Sequence, residues 1–230
     1  MESRLDIKAL LKDWQMASAI QRHCVVVPFE DVMSLIWEIG RRLCPDFSLD
    51  GKNGFVYRNI ALWMLGSQET LAQDASGQIV RGDITRGLYL AGPTGTGKTL
   101  CMRVFHNFAK CLGLNYTIGD KLQYIDLNFY RADLICDDYA KEGDLQKFKQ
   151  MPILSIEDLG SENQETLYMG NRRNVIQSIL EARGDRPLQL TNITSNIPIE
   201  HLGDTYGDRV QSRAYSMFNY YILSGSDRRK

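Results

Sequence analysis

The chain is 230 residues long, carries 27 Lys and Arg against 28 Asp and Glu, and has a net charge of −1 with 43% apolar residues. That suffices for one medium core, or a core with a modest appendage. It also excludes a global field that would draw the protein onto nucleic acid or membrane, so any nucleic-acid contact must come from a local patch.

Met1 to Asp6 contains no apolar signal core, and no stretch approaches the ~20 apolar residues of a membrane helix, so a cytoplasmic protein with no membrane partner is expected. Cys24, Cys44, Cys101, Cys111 and Cys136 are odd in number and lack C-x-x-C spacing, which speaks for a reducing compartment and against a zinc site. Val32, Leu35, Ile36, Ile39 and Leu43 recur at spacings of three and four, predicting an amphipathic helix over Pro28 to Leu43 that Pro45 ends. A second helical pattern carries Phe55, Val56, Ile60, Trp63 and Met64 before Gly66, and polar Ser67 to Gly82 reads as a connection. The expected organisation is therefore an all-helical region over 1–82, able to hold a partner, followed by an α/β core over 83–230.

Gly87-Leu88-Tyr89-Leu90-Ala91 reads as a short buried strand and Leu100 to Cys111 as a helix. Next come a short Tyr116-Thr117-Ile118 stretch, a helix around Ala132 to Lys141 stopped at Gly143, and a strong strand at Ile153 to Ile156. A helix over Asn174 to Arg183, a strand over Leu188 to Ile193, a short helix over Ile199 to Tyr206 and a last strand at Tyr220 to Leu223 complete the order. Strands alternating with helices predict a three-layer α/β/α core around a parallel sheet.

Between the first of these strands and its helix lies Gly92-Pro93-Thr94-Gly95-Thr96-Gly97-Lys98-Thr99, a complete G-x-x-x-x-G-K-[ST] phosphate-binding loop. Its glycines let successive N–H groups turn inward around phosphate oxygens. Lys98 reaches the β- and γ-phosphates and Thr99 can hold Mg²⁺ through its hydroxyl. The candidate nucleotide contacts run from Gly92 through Thr99 to Leu100.

Such a loop needs acids on a neighbouring strand to complete the Mg²⁺ shell and orient water. Leu134-Ile135-Cys136-Asp137-Asp138 runs without a turn into Tyr139-Ala140-Lys141-Glu142, a helix-like setting. Ile153-Leu154-Ser155-Ile156-Glu157-Asp158 stops abruptly at Leu159-Gly160, as a buried parallel strand does, so Glu157 and Asp158 are taken as the pair. The usual order is Asp for the metal shell and then Glu for the water. Here it is reversed: Glu157 can join the metal's water shell, and the shorter Asp158 stands farther from the water, which leaves room for slow hydrolysis.

Asn196 stands at the carboxyl end of the Leu188 to Ile193 strand, where its amide can sense the γ-phosphate; it can also cap the helix begun near Pro198. Arg209 and Arg213 lie four apart on one helical face, as a solubilising pair or as a candidate arginine finger given to a neighbouring subunit.

This order of parts resembles the AAA+ ATPases, within them the DnaC-type helicase loaders and the related IstB transposition ATPases, over roughly Gly87 to Leu223. Gly92 to Thr99, Ile156-Glu157-Asp158-Leu159-Gly160, Thr194-Ser195-Asn196 and Tyr206-Gly207-Asp208-Arg209-Val210-Gln211-Ser212-Arg213 carry the resemblance. It implies Walker A at Lys98 and Thr99, Walker B at Glu157 and Asp158, sensor 1 at Asn196, and the arginine finger at Arg213 with Arg209 as second candidate. It further implies an AAA+ core without the C-terminal helical lid, and ATP and Mg²⁺ as cofactors with ADP as product. Subunits would assemble as a homo-oligomer around ATP, bind single-stranded DNA and hold a replicative helicase, or a transposase in the IstB-like case. Lys141, Lys147, Lys149, Arg172 and Arg173 are local candidates for DNA contact, and equally ordinary solvated positions. A third reading, an ATP-dependent switch that scarcely hydrolyses, follows from the reversed acidic pair.

Overall fold

A computed structural model describes residues 6–8, 20–23, 25–118, 121–127, 129–186, 189–225 and 227–228, with the side chains of Ile20 and Ile118 left aside. Cys24 and Leu188, both part of the sequence expectations, lie outside the described residues. Helices α1 (Phe29–Leu43) and α2 (Gly54–Met64) come first after a short strand β1 (Ile20–Arg22). Glu30 and Asp31 in the first turn of α1, and Arg41 and Arg42 in its last, complement the helix dipole. Gly40 is required by packing: a Cβ there would stand 2.2 Å from the Phe47 ring.

Among the described residues, seven strands form one sheet in the order β3-β2-β12-β4-β11-β8-β7. The five parallel members are β4 (Gly87–Ala91), β7 (Phe129–Arg131), β8 (Ile153–Leu159), β11 (Leu190–Ser195) and β12 (Phe218–Ile222). The first of them in sequence, β4, lies between the last two, so its carboxyl end opens beside β11 and β12 rather than at an edge. All five residues of β4 are buried, and their alternation separates two cores. Leu88 and Leu90 pack with α1, α2 and α3 (Lys98–Leu112), while Tyr89 and Ala91 pack with α4 (Ala132–Glu142), α6 (Val175–Gly184), α7 (Leu202–Tyr206) and α8 (Asp208–Met217). The remaining helix, α5 (Gln146–Gln150), precedes β8. This is the three-layer α/β/α arrangement expected.

Two expectations need correction. First, 1–82 is not all helical: β2 (Leu71–Gln73) and β3 (Ile79–Arg81) form a hairpin that extends the sheet antiparallel to β12. Its turn is set by Asp74, whose carboxylate accepts the Gln78 N–H (2.9 Å), with Gly77 in the left-handed region. Second, α1 and α2 share one core with α3 and β4, so residue 82 marks no break in packing. The short Tyr116-Thr117-Ile118 stretch lies outside the main sheet. Strand β5 (Asn115–Ile118) pairs with β1 and with β6 (Lys121–Tyr124) in a small antiparallel sheet, and Phe129-Tyr130-Arg131 takes the place beside β8. Two further strands, β9 (Thr166–Tyr168) and β10 (Asn171–Arg173), form an outlying hairpin.

Arg183, 1% exposed, ties the acidic strand to its neighbours. It donates to Phe148 O (2.9 Å) and Met151 O (2.8 Å) at the entry to β8, and to Leu190 O (2.7 Å) and Thr191 Oγ1 (2.8 Å) in β11. Burial depresses its pKa to about 10, beyond the small effect of nearby Arg186. Replacing it by leucine strands those buried acceptors, so Arg183→Leu is expected to destabilise the protein by about 3–5 kcal/mol in urea unfolding.

Candidate nucleotide-binding site

The loop after β4 is pinned on both sides. Gly92 N–H donates to Ser195 O (3.2 Å) of β11, and Leu223 N–H, just past β12, donates to Ala91 O (2.8 Å). A Cβ at Gly92 would stand 2.1 Å from Leu223 O, so only glycine fits this close approach. Thr96, itself buried, donates its hydroxyl to Pro93 O (2.9 Å) and braces the turn from inside. Gly97, at φ 94°, then turns the chain into α3, which begins at Lys98.

Lys98 is 6% exposed, and its Nζ donates to Gly92 O (2.6 Å), Pro93 O (2.9 Å) and Asn196 Oδ1 (2.8 Å). Asn196 Nδ2 also approaches Thr94 Oγ1 (3.4 Å). The alternative placement of Asn196 as a helix cap is not what the side chain does. The short 3₁₀ turn Ile199–His201 has Pro198 at its N-cap with no side-chain cap bond.

The two acids sit in a β-bulge. Ile156 pairs with Ile193 and Leu159 with Ser195, leaving Glu157 and Asp158 opposite the single residue Thr194. A bulge interrupts the ladder and sets the local direction of the side chains it carries. Asp158 takes the left-handed region at φ 54°, and its N–H donates to Thr194 Oγ1 (3.1 Å). Ser195 Oγ donates to Leu159 O (2.7 Å) and accepts from Ile197 N–H (2.9 Å). The outcome divides the pair. Asp158 is exposed and lines the cavity beside Lys98 and Thr99; Glu157 is 8% exposed and is not among the lining residues. Its Oε1 has no hydrogen-bond partner among the described residues. Burial pushes the Glu157 pKa up and Asp158 adds to the rise, while Arg103 and Arg131 oppose it without cancelling it. The competing acids of the sequence, Asp137 and Asp138, lie in α4, where Asp138 pairs with Lys147 (2.9 Å).

The cavity has a volume of about 900 Å³. Thr94 to Leu100 form one wall, Asp158 to Ser161 with Asn196 another, and Cys44, Phe47, Asn53 and Tyr57 of the α1–α2 region a third. Arg103, Arg131 and Arg228 also line it, and none of the three is a candidate on sequence grounds. Arg103 has a usable signal, since it stands four residues after Thr99 on the same helix face. Arg131 closes the unexpected strand β7, in register with Glu157.

Arg209 and Arg213 do not line this cavity. Both meet Asp185 after the end of α6: Arg209 Nη2 at 3.7 Å, and Arg213 in a shorter contact that joins its bond to Glu181 O (2.7 Å). Gly184 leaves room for Arg213, whose Cδ would lie 2.8 Å from a Cβ there. Lys149, Arg173 and Arg186 gather elsewhere: burial lowers the Lys149 pKa first, and the two arginines lower it further. Arg172 pairs with Glu165 (3.2 Å).

No protein-family model matches the chain, and no curated protein sequence matches it. Solved structures do. A crystal structure of DnaI matches with a TM-score of 0.52 at 17% identity, over 88% of this chain and 97% of that one. The chain has the fold of DnaI. A DnaC helicase loader matches with a TM-score of 0.49 at 19% identity, over 82% of this chain and 98% of that one. AMPPCP-bound DnaA from Aquifex aeolicus gives 0.49 at 16%, over 80% of this chain and 51% of that one. Among the described residues, no helix is long and apolar enough to cross a membrane.

The raised pKa of Glu157 makes its ionised form a cost to the folded state, present above the folded pKa and relieved as pH falls below the ordinary glutamate value of 4.5. Glu157→Gln is therefore expected to raise the melting temperature at pH 8. The gain should shrink to nothing below about pH 4.5, as followed by thermal melts across pH.

Proposed function

We propose that this chain is an ATP-dependent loader: it binds ATP and Mg²⁺ in the cavity, hydrolyses ATP slowly, and acts on a replicative helicase at single-stranded DNA. The observation that carries the nucleotide reading is the convergence of Lys98, Asn196, Thr99 and Asp158 on one cavity at the carboxyl ends of β4, β8 and β11. The loader reading rests on the motif resemblance together with a DnaI-like fold.

The residues present fit a Mg²⁺–nucleotide. The loop has backbone room only glycine allows at Gly92 and a buried lysine at its end, and Thr99, which carries a hydroxyl, and Asp158, which carries a carboxylate, line the same cavity. Were Mg²⁺ to bind there, Thr99 and Asp158, which line the cavity, are the residues that would hold it, and it would supply positive charge against the β- and γ-phosphates. Lys98, now bonded to Gly92 O, Pro93 O and Asn196 Oδ1, would hold the phosphates, and Asn196 would offer its amide to them. In this reading Asp158, which lines the cavity, accepts a proton from an attacking water, while Glu157 stays buried and out of contact with it. Arg213 and Arg209 are the cations an assembled neighbour would receive, Arg209 being the more exposed at 62% of its side chain against 22%.

A switch with little turnover is the second reading, favoured by one observation: the longer acid, Glu157, is the one turned away from the cavity. The two part in single-turnover hydrolysis. Lys98→Ala is expected to weaken ATP binding on the order of 100-fold by calorimetry, the loss of charge-assisted bonds to phosphate. Asp158→Asn is expected to leave binding near wild type and to slow hydrolysis by about 100-fold or more. A wild-type rate no faster than that of Asp158→Asn, with or without single-stranded DNA, would support the switch.

For DNA, the cluster of Lys149, Arg173 and Arg186 is the local patch that a near-neutral chain requires. Changing Lys149 and Arg173 together to glutamine should weaken single-strand binding. The log–log salt slope should become shallower by about 1.4, about 0.7 for each phosphate that is no longer neutralised, as measured by fluorescence anisotropy.

A further inference from the structure

Arg228 lies far from the loop in sequence and on top of it in space. Its backbone N–H donates to Gly95 O (3.0 Å), and its Nη2 donates to both carboxylate oxygens of Asp50 (3.1 and 2.9 Å). Asp227 lies against the same turn, its Oδ1 within 2.2 Å of where a Cβ on Gly95 would stand. Asp50 belongs to the turn between α1 and α2, and local hydrogen bonds hold it there besides its pair with Arg228. Its Oδ1 accepts the N–H groups of Lys52 (2.8 Å) and Asn53 (3.1 Å), while Asn53 Oδ1 accepts the Asp50 N–H (2.8 Å). Burial tends to raise the Asp50 pKa, but Arg228 and the two N–H donors outweigh it and hold the carboxyl below its ordinary value, so it is ionised at neutral pH.

Asn53 and Arg228 line the same cavity as Thr94 to Leu100. One residue thus ties two walls together at the rim: the α1–α2 turn through its guanidinium, and the phosphate loop through its own backbone. An arginine suits this task because its planar fork meets a carboxylate in a defined geometry.

We propose that the Asp50–Arg228 pair is a latch across the rim of the cavity: it fixes Gly95 of the phosphate loop to the α1–α2 turn and sets how fast a nucleoside triphosphate leaves. This rests on the nucleotide reading above. Arg228 is here a positioning residue, acting through the loop, and Asp50 is its anchor. Because both side chains keep some contact with solvent, at 28% and 43% exposure, the latch weakens with ionic strength and opens without unfolding the core.

The test uses the full chain, a fluorescent ATP analogue and stopped-flow chase with unlabelled ATP, for wild type, Asp50→Asn, Arg228→Gln, Arg228→Lys and the Asp50→Asn/Arg228→Gln double variant. Each of the first two variants should release the analogue about threefold faster, the size of a partly exposed ion pair. The double variant should be no faster than either single one, and Arg228→Lys should fall between wild type and Arg228→Gln. Added salt should speed release from wild type and leave Asp50→Asn unchanged. A wild-type release rate in Asp50→Asn, or additive effects in the double variant, overturns the latch. Hydrogen exchange without nucleotide supplies a second readout: amides of residues 92–97 should exchange faster in both single variants, and unchanged exchange also overturns it. If wild type binds no analogue, the nucleotide reading fails and release control fails with it. If wild type binds and the variants match it, the latch fails alone.

Discussion

Three consecutive residues at the end of β11 hold the candidate site in shape. Thr194 receives the Asp158 N–H, Ser195 donates to Leu159 O and accepts from Ile197, and Asn196 receives the Lys98 ammonium. Each bond alone contributes about 1 kcal/mol. Together they fix the relative positions of the lysine and the acidic bulge, which arrive on different elements of the chain. Because Gly92 N–H also bonds to Ser195 O, the entry of the phosphate loop hangs on the same three residues. A left-handed aspartate at φ 54° is costly for a residue with a side chain, and this network supplies the over-determination that keeps it there.

The charge pattern around the cavity follows from that geometry. Lys98, Arg103, Arg131 and Arg228 face a space into which Asp46 and Asp158 bring the only carboxylates among the described lining residues. A polyanion is what such a wall attracts. Glu157 remains behind the wall, its charge disfavoured by burial yet flanked by two arginines that keep the shift from growing further. Away from the cavity, Asp185 gathers Arg209 and Arg213 on one carboxylate, so the two cations are restrained within their own chain.

Much of this is legible in the amino-acid order. The phosphate loop, the strand before it and the helix after it follow from local rules, since glycines, a lysine and an apolar run suffice to specify them. Choosing Glu157 and Asp158 over Asp137 and Asp138 depends on recognising a strand that stops against a helix that continues, and the strand and helix lie where that reasoning puts them. The bulge is not legible, because it depends on how β8 registers against β11, a pairing between segments far apart in sequence. The hairpin at Leu71 to Arg81 escapes a reading of the sequence because three-residue strands carry too little periodicity, and Phe129 to Arg131 escapes it for the same reason. Arg228 and Asp50 meet across most of the length of the chain, and nothing local announces such a contact.

The shared core of α1, α2 and α3 has a mechanical consequence. Helix α3 starts at Lys98, and further along it Cys101, Val104, Phe105 and Phe108 are buried against Ile36, Tyr57 and their neighbours from the two earlier helices. Close-packed side chains transmit displacement rather than absorb it. A displacement of α1 or α2 is therefore carried into α3 and, along about three turns of rigid backbone, to Lys98 at the end of the glycine-rich loop. The loop and the two outer helices are thus parts of one close-packed block rather than separate units.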